Sequence, residues 1–491
     1  MVDPSQNLRG KRDIGIRNAQ IAAIEPEIPA TRGTQTLDAS GQLVLPGLVD
    51  FHAHVLPGAG IGLSGDELVP YTGCTTYVSA GDAGAGSFSA FKHFGIAQSR
   101  TRIFAFLHIS SIGLSGFPVG EMLNIDHARV DAAAKMLAEN PEVLLGIKVR
   151  ETLDVVGTNG LEPLKRAIAA AERSGVEGAR VMCHIGNAPG NLSDLLDLLR
   201  PGDVLTHAYS GAGNNTVVNG KVLAAALEAK KRGVLIDVGH GGGSFDYTVC
   251  EAALQQGFTP DIISSDIHSY SANSPGRPFL PWVMSKFLNL GMSLEQVVTL
   301  TTAAPAKAIG RVPKLGTLQI GAPADLSLVE IVEGPVDFVD TRRNTRKGQR
   351  WIKPMQTVKA GRPFGRPYAL EGTLRRQMDS KFGQQPSVVR VQTLLAKAPR
   401  KFRTPEVLDL DLTTEPSFAQ FASEKNPPSN LMRFLTVAAW FKLHRQLDAV
   451  TVDHVYTCYR HVKWSSDIQD FSQPLRDLKA RQLVNLKERG H

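Results

Sequence analysis

The stretch LPGLVDFHAH, residues 45–54, opens the series that decides the fold. It is a short apolar run that ends in polar residues, and seven more of the same kind follow: TTYVSAGD (75–82), RIFAFLHISS (102–111), EVLLGIKVR (142–150), RVMCHIGN (180–187), DVLTHAYS (203–210), GVLIDVGHG (233–241) and DIISSDIHS (261–269). Most are followed by a stretch with helical periodicity, clearest in GLEPLKRAIAAAERSG (160–175) and GKVLAAALEAKKRG (220–233). Alternation of strand and helix calls for a parallel sheet. Eight such units predict an α/β fold, a closed (β/α)8 TIM barrel over residues 49–313. A doubly wound open sheet is the alternative, but it ordinarily carries fewer strands and a glycine-rich phosphate turn after the first. No such turn follows His54.

The flanks of the barrel are β-like. IGIRNAQIAAI (14–24) and TQTLDASGQLVLP (34–46) alternate short runs with Gly and Asn turns, and GTLQIGAPADLSLVEI (316–331) and QTVKAGRPF (356–364) repeat that character much later. Residues 1–48 and 314–361 are therefore expected to pair into one small β-subdomain. GRPFGRPYALEG (361–372) reads as a Pro/Gly/Arg linker, and 362–425 as a linker and irregular region. Residues 426–491 resume a helical period in NLMRFLTVAAWFKLHRQL, TVDHVYTCYRHV and SQPLRDLKARQLV, with Thr451 and Ser472 as N-caps.

Bulk properties narrow the class. The 491 residues exceed one ordinary domain, and 42% hydrophobic against 21% charged residues is the balance of a globular protein with a sizeable core, not of a disordered chain. Four cysteines (Cys74, Cys183, Cys250, Cys458) are spread without CxxC pairing, which indicates neither a disulfide framework nor a zinc knuckle and fits a reducing compartment. The polar N-terminus and the lack of an apolar run of ~20 residues predict a cytoplasmic protein with no membrane partner. The net charge of +7 is a weak pointer to anionic partners.

The chemistry lies at the strand ends. His52 and His54 are two apart on one strand, so their side chains point the same way and could share a metal. An isolated HxH could equally be one strand cap and one surface residue, but the other strand ends add His184, His207 and Asp266. Lys148 sits in the apolar run LLGIKVR, where an unpaired ammonium is costly. It could be a nucleophile of depressed pKa or carry a carbamate that bridges two cations; the plain alternative is a lysine that snorkels outward or pairs with Glu151. Imidazole nitrogen and carboxylate oxygen suit two divalent metal ions, zinc before its relatives. His240, in a glycine-rich loop, and His268, two after Asp266, are candidate substrate contacts, with His108 and Ser110 weaker ones. Cys183 reads as a packed thiol.

PGLVDFHAH, GIKVR, MCHIG, LTHAYSG and SSDIH together resemble the amidohydrolase superfamily. ISSIGL, DVGHGGGSF, MSKFLNLGM, TTAAPAKAIG and LGTLQIGAPADL are similar to its amidohydrolase/deacetylase branch, sometimes labelled dihydroorotase-like, over about Asp13 to Gly361. The resemblance implies that His52, His54 and Asp266 hold the more buried metal and His184 and His207 the outer one, with carboxylated Lys148 and a hydroxide bridging both. It implies Asp266 as proton shuttle in hydrolysis of an acylated amino or hydroxy acid, a deacetylase-type reaction on an amide or ester. A cyclic amide, as in dihydroorotase, is the alternative, but a dihydroorotase pattern follows its HxH closely with a carboxylate-binding arginine, and here Val55, Leu56 and Pro57 follow His54.

The tail, from about Tyr368, lies outside this resemblance. Its helices and LVNLKERGH could form a winged-helix-like fold with Arg476, Lys479 and Arg481 placed for phosphates. The alternative is a helical interaction or oligomerisation module with a solvated basic face, whose core is Trp440, Phe441, Tyr456 and Tyr459. Expected partners are therefore a small-molecule substrate and, through 426–491, a second copy, another protein or nucleic acid. A regulator or sensor that binds nucleic acid or protein through this C-terminal module and uses the barrel for ligand or assembly is the competing function, and a barrel retired to scaffolding has no physical need for four converging imidazoles.

Overall fold

The computed structural model describes residues 1–364, 405–447 and 449–464. The chain divides into two compact units, Met1–Ser387 and Val388–His491.

In the first unit, seven strands form one parallel sheet in sequence order: Leu48–Ala53, Cys74–Gly84, Arg102–His108, Leu144–Glu151, Arg180–Ile185, Val204–Thr206 and Leu235–Ile236. The eighth apolar run makes no ladder. It closes the ring through two single bridges, Ile262 to Asp237 on one side and Ile267 to Ala53 on the other. The physical reason lies in Asp266, whose φ of +50° interrupts the extended backbone between the bridges. Ser265 instead gives its backbone N–H, at 3.0 Å, to the buried Asp50 carboxylate of the first strand. The result is the TIM barrel, with seven ladder strands and a bridged eighth segment.

Alternate residues of the strands sort into two levels. Val78, Ala80, Phe104, Phe106, Met182, Val204 and Ile262 share an apolar cluster with Ala306, Ala308, Ile309 and Leu315, which plugs one end. Two residues further along the same strands stand Asp82, His108, His184, Thr206 and Ser264. This shift from apolar to polar marks the functional end. Outside, amphipathic helices cover the sheet; Glu162–Arg173 buries Leu164, Ala167, Ala170 and Ala171, the inner stripe of its 3.6-residue period.

Both flanks meet in one antiparallel sheet of four strands, ordered Arg362–Phe364, Thr345–Lys359, Leu326–Val339, Leu43–Pro46. Met1, Ile21, Leu318, Ala324 and Val358 pack in a shared cluster beneath it. Strand Arg362–Phe364 belongs to this sheet, although 362 was expected to begin the linker: its residues pair with Thr357–Lys359 before the chain leaves the sheet edge.

The second unit contains helices Phe418–Lys425, Asn430–Arg445 and Val452–His461 among the described residues. The first corrects the expectation of an irregular 362–425. It is an eight-residue helix with a Ser417/Gln420 capping box, too short for its period to stand out, and it is held by burial of Phe418, Phe421 and Ala422. Thr451 is the expected N-cap, completing a box with His454. Trp440, Phe441 and Tyr459 are buried, and Tyr456 packs against them. Ser472, Arg476, Lys479, Arg481 and the helix they were expected to form lie outside the described residues. No helix among the described residues is long and apolar enough to cross a membrane.

Candidate metal centre

His52 and His54 leave the first strand with both Nε2 atoms on one carboxylate oxygen, Asp266 Oδ1, at 3.3 and 3.1 Å. The three side chains are buried, and one ligand atom from each lies within 4.8 Å of the others. The backbone draws them together as well: the Asp266 N–H donates to the His52 carbonyl at 2.6 Å, and the His54 N–H to the Ile267 carbonyl at 3.0 Å. Gly241 leaves room for the Asp266 carboxylate; a Cβ at Gly241 would stand 2.2 Å from Asp266 Oδ2.

The far side of each imidazole is committed. His54 Nδ1 lies 2.6 Å from Asp82 Oδ1, His52 Nδ1 2.8 Å from Thr206 Oγ1, and His207 Nδ1 2.6 Å from the Gly239 carbonyl. Thr206 spends its own proton on Asp237 Oδ2 at 2.6 Å, so it accepts from His52. Each of these Nδ1 atoms therefore carries a proton, which leaves Nε2 as the nitrogen directed to the barrel mouth. His184 Nδ1 faces His207 Nε2 at 2.9 Å, and Lys148 Nζ lies 3.4 Å from His52 Nε2. All six strand-end residues thus reach one place.

The electrostatics agree with a seat for positive charge. Burial alone would raise the Asp266 carboxyl, yet His52, His54 and His207 hold it well below its usual range. Burial alone would lower His54, yet the Asp82 and Asp266 carboxylates raise it to about 9. Burial drives both His184 and His207 well down, helped at His184 by His207, Arg150 and Lys148 and at His207 by His52 and Lys148, so both stay neutral, the form that ligates. Burial lowers Lys148 to about 8. Lys148 is fully buried and forms no ion pair with Glu151, so the outward-snorkelling and paired alternatives both fall away. Gly81 makes this packing possible, because a Cβ there would lie 2.6 Å from Lys148 Cγ.

Two expected substrate contacts have their side chains engaged in internal hydrogen bonds. His240 is fully buried, with Nε2 2.7 Å from Lys286 Nζ, Nδ1 2.9 Å from the Gly241 carbonyl and its ring stacked on Phe245. Ser110 is fully buried and donates its hydroxyl to the Glu121 carbonyl at 3.0 Å. Both side chains are consumed by internal bonds, which a loop rich in glycine or a strand-end serine does not announce. His108 likewise serves Glu121 Oε1, at 3.1 Å. His268 stays half-buried beside His54, ring centroids 5.8 Å apart, and burial lowers it to about 4. Cys183 is packed and buried.

Known proteins resemble this chain over most of its length. The sequence is 34% identical to a deacetylase of Agrobacterium fabrum over 344 residues, 70% of this chain and 83% of that protein. It is 32% identical to a deacetylase of Brucella anthropi, covering 70% of this chain and 85% of that one. A crystal structure of a dihydroorotase superposes with a TM-score of 0.65 at 32% identity, covering 71% of this chain and 90% of the other. One of an adenine deaminase does so with a TM-score of 0.67 at 30% identity, covering 72% and 95%. The model of the amidohydrolase family matches residues 244–360.

The chain belongs to the amidohydrolase family.

As an amidohydrolase it is a hydrolytic enzyme of a family that generally uses divalent metals. The donor set fits such ions: buried imidazoles with Nε2 directed inward, a carboxylate among them and fixed acceptors behind. Asp82, Thr206 and Asp237, which hold the imidazoles from behind, match no ligand motif. Their one signal is position, since they end the same apolar runs as the ligands do.

Proposed function

We propose that this amidohydrolase removes an acyl group from an acylated amino acid or hydroxy acid, cleaving an amide or ester to an acid plus an amine or alcohol. The observation that carries the reading is the convergence of His52 and His54 on one oxygen of Asp266, with His184, His207 and Lys148 beside them. His52, His54 and Asp266 would hold one divalent cation, zinc being the best fit, and His184 and His207 a second. Lys148, as a carbamate, would lend both a shared anionic ligand. Such a pair of cations, when bound, supplies positive charge that polarises an acyl carbonyl and acidifies water toward a pKa of about 7.

The protein's own groups do the rest. Asp82, Thr206 and the Gly239 carbonyl keep three imidazoles in the tautomer that faces inward. Asp266, held ionised, would take a proton from the attacking water and return it to the leaving nitrogen or oxygen. Relatives named deacetylase support the acyl reading. Cyclic amides would use the same machinery, but the segment after His54 offers no arginine for a dihydroorotate-type carboxylate.

The test joins metal analysis of the purified protein to hydrolysis of a panel of N-acyl amino acids, O-acyl hydroxy acids and cyclic amides. Close to two equivalents of divalent metal and turnover of acyl substrates are expected. Near-absence of metal at neutral pH, or turnover of cyclic amides alone, would overturn the proposal.

A further inference from the structure

We infer that Arg150 receives a carboxylate of the substrate and makes this site selective for acylated acids over their neutral counterparts; the inference rests on the acyl-hydrolase reading above.

Arg150 lies two residues beyond Lys148 on strand Leu144–Glu151, so it shares that face one step nearer the mouth. Its partner on the next strand is His184. The side chain is 14% exposed, while Lys148, His108 and Glu121 around it are buried. Arg150 therefore stands where the packed interior of the site gives way to its opening.

Its guanidinium is fixed and only half used. Nη1 donates to both Glu121 oxygens, at 3.2 and 3.0 Å, and His108 holds Glu121 from the other side at 3.1 Å. Nε and Nη2 have no protein acceptor among the described residues. The guanidinium carbon sits 5.8 Å from the Phe117 ring centroid, Phe117 lies 5.7 Å from Tyr270, Tyr270 6.3 Å from His268, and His268 5.8 Å from His54. This arc runs from Arg150 back to His54, and on the other side the Arg150 charge acts on His184, so the guanidinium belongs to the ring of side chains around the imidazoles. A planar fork with two nitrogens to spare, oriented by a buried carboxylate, matches a carboxylate ligand in geometry and charge.

The segment after His54 cannot take that part. The Val55 and Leu56 amides both turn to Asp82 Oδ2, at 2.8 and 3.2 Å, and neither side chain is charged. The charge that recognises an acidic substrate comes instead from the fourth strand.

The test compares N-acetyl amino acids and O-acetyl 2-hydroxy acids with the carboxamide of each, in wild type, Arg150→Met and Arg150→Lys. Wild type should favour each acid over its carboxamide by roughly 10- to 100-fold in kcat/KM, the worth of one or two charge-assisted hydrogen bonds. Arg150→Met should erase most of that ratio, chiefly by raising KM for the acid. Arg150→Lys keeps a cation beside Glu121, which guards against misfolding, and should restore only part of the ratio because it lacks the fork. Equal losses on acid and carboxamide in both variants would show a merely structural arginine and overturn the inference. A wild type with no preference for acids would overturn it while leaving the acyl-hydrolase reading intact; no hydrolysis of any acyl compound would sink both.

Discussion

His54 Nδ1 stands 2.6 Å from Asp82 Oδ1, and the second oxygen of that carboxylate takes the Val55 and Leu56 amides and the Ser79 hydroxyl. One buried aspartate thus sets both the ring of His54 and the path of the chain behind it. Asp82→Asn keeps the shape but weakens the acceptor that fixes the tautomer. Metal affinity should fall about 10- to 100-fold with the fold retained, as is usual for a partner behind a ligating histidine. Chelator competition followed by metal analysis measures it; unchanged affinity would show that Asp82 serves only the backbone.

Asp266→Asn removes the charge to which His52 and His54 both turn, and with it the proton acceptor. The variant should retain metal at the remaining ligands and lose activity by about 10²- to 10⁴-fold. Metal content and turnover are read on the same preparation. Activity near that of wild type would rule out the proton-shuttle role.

Lys286 lies fully buried, with three N–H groups for three acceptors: His240 Nε2 at 2.7 Å, the Gly276 carbonyl at 2.8 Å and the Val339 carbonyl at 2.7 Å. Lys286→Met leaves all three without a donor, and stability should drop by about 2–4 kcal/mol. His240 would lose its anchor, and the Gly239–Gly243 loop should exchange its amides faster. Urea unfolding gives the first quantity and hydrogen exchange the second; an unchanged midpoint would mean that water replaces the ammonium.

Glu151 is fully buried, and burial raises its carboxyl to about 8, offset in part by the nearby Leu164 amide, which falls short of full hydrogen-bond geometry. A carboxyl whose folded pKa exceeds its unfolded value holds its proton in the fold and loses it on unfolding. Its effect is therefore nil below the unfolded pKa near 4.5, and stability declines as pH rises from there to about 8. Glu151→Gln removes that slope. Relative to wild type, the variant should gain stability between pH 5 and pH 8, on the order of 1–4 kcal/mol. Denaturant midpoints at the two pH values decide it, and a constant difference would contradict a buried neutral acid.

The periodicity of eight apolar runs was enough to read the barrel, because a parallel strand buried on both faces has a composition that no tertiary contact need supply. The same runs carried the six ligand candidates, since a polar residue at the end of an apolar strand stands out from its neighbours. Short elements were less legible. Phe418–Lys425 holds together by packing more than by propensity, and the eighth barrel segment is bent by Asp266 and tied by Ser265 to Asp50, contacts between residues 215 apart in sequence.

Sequence alone determined the fold class and which side chains converge, because period and residue type are local properties. Only the tertiary structure decided what each side chain does there. His240 and Ser110 look free in sequence and are spent on internal bonds, whereas Asp82 and Arg150 look ordinary and border the site. The reason is physical: a hydrogen bond needs its partner within about 3 Å, and for these groups the partner comes from a distant part of the chain.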